Sequence, residues 1–326
     1  MFRHAGTCSC LGIWMLSMND EMVKSVLRKA NYMNDSHSEH LNGVRRAIER
    51  LSKHLEGVGD CSTEDISIDV EFLSCCTLLS PVPVPLEEGF PLLRARKFEN
   101  SCKEYKYSNV SELSYKTDSI GKGRLNRETE ALFYSSYANV HQSISAVLSE
   151  IDAKKGDVVN LLRCKTKFVD EPKNGLRTLE ILPIGLGDYF RRGLPLPFSL
   201  HSSIRESYDL FGKNAHPESL LAMQLTDAFF TDVLKRKESP RLYSITSAIG
   251  FELLNRSGPD VDGLLYPSVT FEGHPNIAIK PLVVDEKIRF EAVDSVQVDE
   301  CYGYGMYELK LLAKGLVRGK ELKWEC

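Results

Sequence analysis

Gly121-Lys122-Gly123-Arg124-Leu125-Asn126 leads into Glu130-Ala131-Leu132-Phe133-Tyr134-Ser135-Ser136. The two glycines permit positive φ and a close approach of backbone. The turn presents one arginine and one amide, and Arg124 carries a rigid fork of donors that suits phosphate. A short apolar run ending in Tyr134 follows, so the stretch reads as an anion-binding corner. Residues 138–152 then follow a helical pattern, with Val140, Ile144, Val147 and Leu148 on one face. Glu150 falls roughly 100° from the centre of that face, at its border, where a carboxylate reaches the lip of a cleft while its stem stays packed.

Upstream, Leu92-Leu93-Arg94-Ala95-Arg96 reads as a strand, and alternation puts both arginines on the same face. Pro81, Pro83 and Pro85 alternate with valines and predict an extended connector that borders the catalytic domain. Before it, Leu41, Val44, Ile48, Leu51 and Leu55 recur at helical spacing. A second helix over 22–30 pairs with this one across Asn34-Asp35-Ser36. The two read as a helical cap or an oligomerisation surface. Residues 66–72 alternate apolar and polar, which fits a strand and equally extends a helix.

Downstream, 100–120 reads as a loop or lid and 157–163 as a strand. The glycines and prolines scattered through 181–200 suggest an irregular insertion. Helices are expected over 217–235 and 245–255, the latter capped by Ser244. Short strands at 263–269 and 275–281 precede a β-rich tail covering 287–298, 302–312 and 321–324. Strands, scattered helices and long loops in this order predict an α+β fold. The expected divisions are a disordered tail at 1–18, a mainly helical extension at 19–85 and a catalytic domain at 86–326.

The chain has 326 residues, 42% of them apolar and 26% charged, with a formal net charge of −4. That balance points to a globular protein and to no general nucleic-acid or bilayer partner. Nine cysteines show no regular spacing. Cys8 with Cys10 and Cys75 with Cys76 lack a second pair at zinc-site distance, so reduced thiols in a cytoplasmic protein are expected. The apolar run at 11–16 is far shorter than the roughly 20 residues that span a bilayer. No phosphate-binding Walker loop, dinucleotide G-x-G-x-x-G or hydrolase G-x-S-x-G elbow occurs.

Several short motifs, in order, resemble the signature of the RES domain family, named for its arginine, glutamate and serine. They are Arg94-Ala95-Arg96, Gly123-Arg124-Leu125-Asn126, Leu132-Phe133-Tyr134, and Glu150 ahead of Gly156-Asp157. Asp262-Gly263-Leu264-Leu265-Tyr266-Pro267-Ser268 and Asn276-Ile277-Ala278-Ile279 complete the set. The resemblance implies a fold similar to ADP-ribosyltransferases, a split β-core with peripheral helices around an NAD cleft. It implies NAD as substrate, no metal, and the toxin role of a toxin–antitoxin module, whose partner carries an Xre-like helix-turn-helix. Glu150, Arg94 and Tyr134 then take catalytic places, and Arg96, Arg124, Asn126 and Ser268 bind the nucleotide.

The chemistry needs those residue types. Loss of nicotinamide from NAD leaves an oxocarbenium ion at the ribose, which a nearby carboxylate stabilises, and the diphosphate needs fixed cations. Two alternatives share the cleft: a protein ADP-ribosyltransferase that docks its target near 190–200, and a catalytically silent nucleotide-binding module.

Overall fold

A computed structural model describes residues 20–78, 84–86, 89–98, 107–116, 120–138, 142–167, 179–187, 190, 202–255, 261–270 and 274–325. The expected tail at 1–18, residues 100–106 and 117–119 of the expected lid, and the stretch 191–200 lie outside them.

In chain order the elements are α1 (Asp20–Asp35), α2 (His37–Glu56), α3 (Thr63–Cys75), β1 (Val84–Leu86), β2 (Pro91–Lys97), a 3-10 turn (Val110–Glu112), β3 (Phe133–Tyr137), α4 (Gln142–Glu150), β4 (Val158–Thr166) and β5 (Leu179–Pro183). They continue with α5 (Ser202–Asn214), α6 (Pro217–Lys235), α7 (Pro240–Asn255), β6 (Gly263–Tyr266), β7 (Asn276–Ile279), α8 (Pro281–Lys287), β8 (Ile288–Gly303), β9 (Met306–Arg318) and β10 (Glu321–Trp324). The fold is α+β.

Residues 66–72 settle as helix. Ser62 Oγ accepts from Asp65 N and Asp65 Oδ2 accepts from Ser62 N, a reciprocal box that starts α3. Arg50 of α2 grips buried Asp69 of α3 with two donors, Nε at 2.9 Å and Nη2. Two expectations need correction. Leu179–Pro183 is a fully buried strand, so 181–200 is not an insertion throughout. Ser244 lies inside α7 and donates to Arg241 O; Ser239 caps that helix, its Oγ accepting from Leu242 N. Val84–Leu86 of the expected connector forms a strand at the sheet's edge, where a proline costs no ladder bond.

The ten strands form one sheet in the order β1-β5-β6-β7-β3-β2-β4-β8-β9-β10. Neighbours are antiparallel except β5 and β6. One core joins Val26, Leu51 and Leu73 of the first three helices to Phe211, Phe230 and Ile249 of the later ones, and to Leu125, Leu132, Leu182 and Leu264 of the sheet region. The N-terminal helices therefore share their core with the rest of the chain. The opposite face of the sheet buries Leu92, Phe133, Leu162 and Ile277 under Leu113 and Val284. Helix α4 packs Val147 and Leu148 on Leu93, Leu161 and Val296. Among the described residues no helix is long and apolar enough to cross a membrane.

The feature that positions the site is a seam in the sheet. β2 pairs with β4 along all seven of its residues, but with β3 only at Leu92↔Tyr137 and Leu93↔Ser136. Beyond Leu93 the two strands part.

Candidate nucleotide-binding cleft

The parting strands open a cleft of about 420 Å³, within the size range of small-molecule sites. Arg94 bridges the gap: Nη1 donates to Tyr134 O at 2.7 Å and Nε to Leu113 O at 3.0 Å. Its guanidinium also sits over the Phe133 ring, 5.3 Å from the centroid. Burial, and then the charge of Arg96, lower its pKa to about 10. Arg94 thus remains a cation at neutral pH, in surroundings that leave its charge undercompensated and favour an anion beside it. Arg96 lies on the same side of the strand and donates from Nη1 to Glu112 O.

The opening turn is built on close contacts. Neither Gly121 nor Gly123 uses the positive φ open to it. Gly123 is required for space instead, since a Cβ there would lie 2.2 Å from Asn126 Oδ1. Asn126 is spent inside the protein. Its Nδ2 donates to Gly121 O and Arg127 O, both at 3.0 Å, and its Oδ1 accepts from the Tyr134 hydroxyl at 2.8 Å. That hydroxyl also accepts from Leu125 N at 3.0 Å. Burial holds the phenol well above its ordinary pKa. Asn126 is therefore a brace for the turn rather than a ligand contact, and Tyr134 offers the cleft its ring rather than a mobile proton.

Arg124 lines the cleft and is 9% exposed. Nη1 donates to Leu234 O at 3.0 Å and to Arg236 O at 3.1 Å, carbonyls at the end of α6. The other three of its five N–H donors, on Nε and Nη2, have no partner among the described residues.

Glu150, the last residue of α4, lines the cleft from the other side. Its Oε1 accepts from the Ser268 hydroxyl, from Val269 N at 3.2 Å and from Thr270 Oγ1 at 3.3 Å. All three bonds fall on one oxygen, and Oε2 has no partner among the described residues. The Ser268 hydroxyl is thus turned to Glu150 and also accepts from Thr270 N at 3.2 Å. Asp262 of the same motif is structural: its Oδ2 takes 2.7 Å contact from the buried Lys287 Nζ and accepts from Glu180 N.

The cleft also takes Lys97, Lys116, Glu238 and Tyr243, which lie outside the quoted motifs, and Ser136, Tyr266 and Asn276, which lie inside them without an assigned role. Burial, and then Glu238, push the Tyr243 phenol above its ordinary pKa. The Tyr134 and Tyr266 rings meet edge to face, 6.5 Å apart. Burial, and then the charge of Glu150, push the Tyr266 phenol far above its ordinary pKa. Cations outnumber carboxylates around the opening, and tyrosines form its floor, a combination that suits an anionic ligand with a flat ring.

A metal has a different candidate place. His37, His216 and Glu218 bring one ligand atom each within 4.8 Å of one another. His37 reaches His216 only through the packing of the α1–α2 turn on the start of α6. His274 is buried against Ser143 Oγ at 3.4 Å.

Comparison of the chain with protein-family models, with curated proteins and with solved structures gives no match.

Proposed function

We propose that the chain is an NAD-consuming enzyme that cleaves the nicotinamide–ribose bond. The observation that carries this reading is the meeting of Arg94, Arg96, Arg124 and Glu150, from separate stretches of sequence, around one tyrosine-floored cleft. The arginines take the diphosphate. Glu150 Oε2 faces the ribose and stabilises positive charge as the glycosidic bond breaks. Water attacking the ribose carbon gives ADP-ribose, nicotinamide and a proton; phosphate in its place gives ADP-ribose phosphate. Ser268 holds the carboxylate, and Asn126 with Tyr134 holds the turn that presents Arg124. The partner implied by the resemblance, an antitoxin with an Xre-like domain, would act by covering this cleft.

The test is nicotinamide release from NAD by the purified protein and by Glu150→Gln. Release by the wild type that falls at least about a hundredfold in the variant supports the reading. NAD binding without release points to a silent binding module, and transfer of labelled ADP-ribose to protein points to a transferase. Absence of both binding and release overturns it.

A further inference from the structure

Asn276 opens β7 and stands in register with Ser136 of β3 on one side and Tyr266 of β6 on the other. Side chains in register share a face of the sheet, and all three line the cleft. Asn276 is 4% exposed. Its Oδ1 accepts from the Ser136 hydroxyl, while its Nδ2 is buried with no partner among the described residues. A buried amide nitrogen with two unused N–H donors is costly to leave unpaired. The neighbouring residues narrow what fills it. Tyr266 and Tyr134 supply ring faces and edges, and Glu150 is the strongest charge acting on Tyr266. That end of the cleft attracts a flat cation, whereas the arginines attract anions.

We propose that Asn276 is the specificity residue of the cleft, reading the carboxamide of a positively charged pyridine ring through Nδ2. The inference rests on the nucleotide reading above and names the part of the substrate that this subsite takes. The Nδ2 hydrogens meet the carbonyl oxygen of the carboxamide. Ser136 keeps Oδ1 engaged and so holds the donor end toward the ligand.

The probes are NAD and the NAD analogue whose pyridinium carries hydrogen in place of the carboxamide. Dissociation constants are measured in the Glu150→Gln background, so that neither ligand is consumed, alongside nicotinamide release by the wild type. NAD is expected to bind about ten- to a hundredfold more tightly than the analogue, the scale of a buried donor left unpaired. Asn276→Ala in that background should bind both alike, at the affinity the parent shows for the analogue. A merely structural Asn276 would weaken both ligands equally and leave the preference in place, which overturns the proposal. Equal affinities in the parent overturn it as well. If Asn276→Ala does not fold, Ser136→Ala decides: it should shrink the preference by freeing the amide to turn, and an unchanged preference counts against Asn276. Failure of the wild type both to bind NAD and to release nicotinamide removes the nucleotide reading and this inference together.

Discussion

Glu150 shows how a surface-biased residue becomes part of a site. On its helix it lies at the edge of the apolar face; in the molecule three donors converge on Oε1. Glu150→Gln keeps an oxygen for those donors and loses only charge. NAD affinity should stay within a few-fold while turnover falls at least about a hundredfold, measured as nicotinamide release at saturating NAD. Equal rates would remove Glu150 from the chemistry. Arg124 clasps Leu234 O and Arg236 O, and under the proposed reading it is also a ligand donor. Arg124→Ala should weaken NAD binding by about 1–3 kcal/mol and also lower the melting temperature, at roughly 2–4 °C per kcal/mol for a large domain. Arg124→Lys keeps the charge and loses the fork, so it should recover stability better than affinity. An unchanged dissociation constant in a folded Arg124→Ala protein would take Arg124 out of the site. The motif order in the sequence led to Arg94, Arg96, Arg124, Tyr134 and Glu150, which line the cleft. It did not reveal that Asn126 and Ser268 are engaged by the protein itself, because their partners, the Tyr134 hydroxyl and Glu150, are fixed by tertiary packing. Asn276 was quoted within a motif, yet its unpaired nitrogen is visible only beside Ser136.

Elements set the second scale. α3 alternates like a strand over 66–72, yet Ser62 and Asp65 three residues apart carried the signal of a helix start. β5 was obscured by the glycines and prolines that follow it, and its pairing with β6 is long-range. The α7–turn contact was illegible for a simpler reason: a helical glycine says nothing of what crosses it. Gly250 lets α7 touch the backbone of Leu125, and a Cβ there would lie 2.1 Å from Leu125 O. Gly250→Ala should therefore destabilise by about 1–3 kcal/mol despite alanine's better helix propensity. It should also weaken NAD binding, because the backbone that must yield adjoins Arg124. A melting temperature equal to or above that of the wild type would show that the contact has slack.

At the scale of the molecule, the shared core makes the first three helices part of one folding unit. A chain beginning at residue 79 exposes Leu125, Leu132, Phe230 and Ile249. It is expected to lose its near-ultraviolet circular dichroism and its cooperative melt; a sharp transition would show that the remainder folds alone. His54 joins the same layers. Its Nδ1 accepts from Cys61 N at 3.2 Å and its Nε2 meets Ser244 Oγ at 3.2 Å. Burial, and then the charge of Arg241, hold its pKa below the ordinary histidine value. A depressed folded pKa means that the unfolded chain takes the proton first. The stability from neutral His54 is complete above about pH 6.5 and is lost as pH falls below it. Melting temperatures measured from pH 7.5 to 5.5 should fall, with a shallower slope for His54→Gln. Identical slopes would assign the acid sensitivity elsewhere.

The seam between β2 and β3 has a mechanical meaning. The sheet is continuous, but at this line two registered pairs and the Arg94–Tyr134 bridge hold what seven pairs hold one strand away. Bending is expected to concentrate where a ladder is shortest, at the seam, with Leu92 and Leu93 as its pin. Under the proposed reading, a ligand gripping arginines on one leaf and the Ser136–Asn276 row on the other would work as a bolt across that line, and its binding would stiffen the whole sheet as well as fill the cleft.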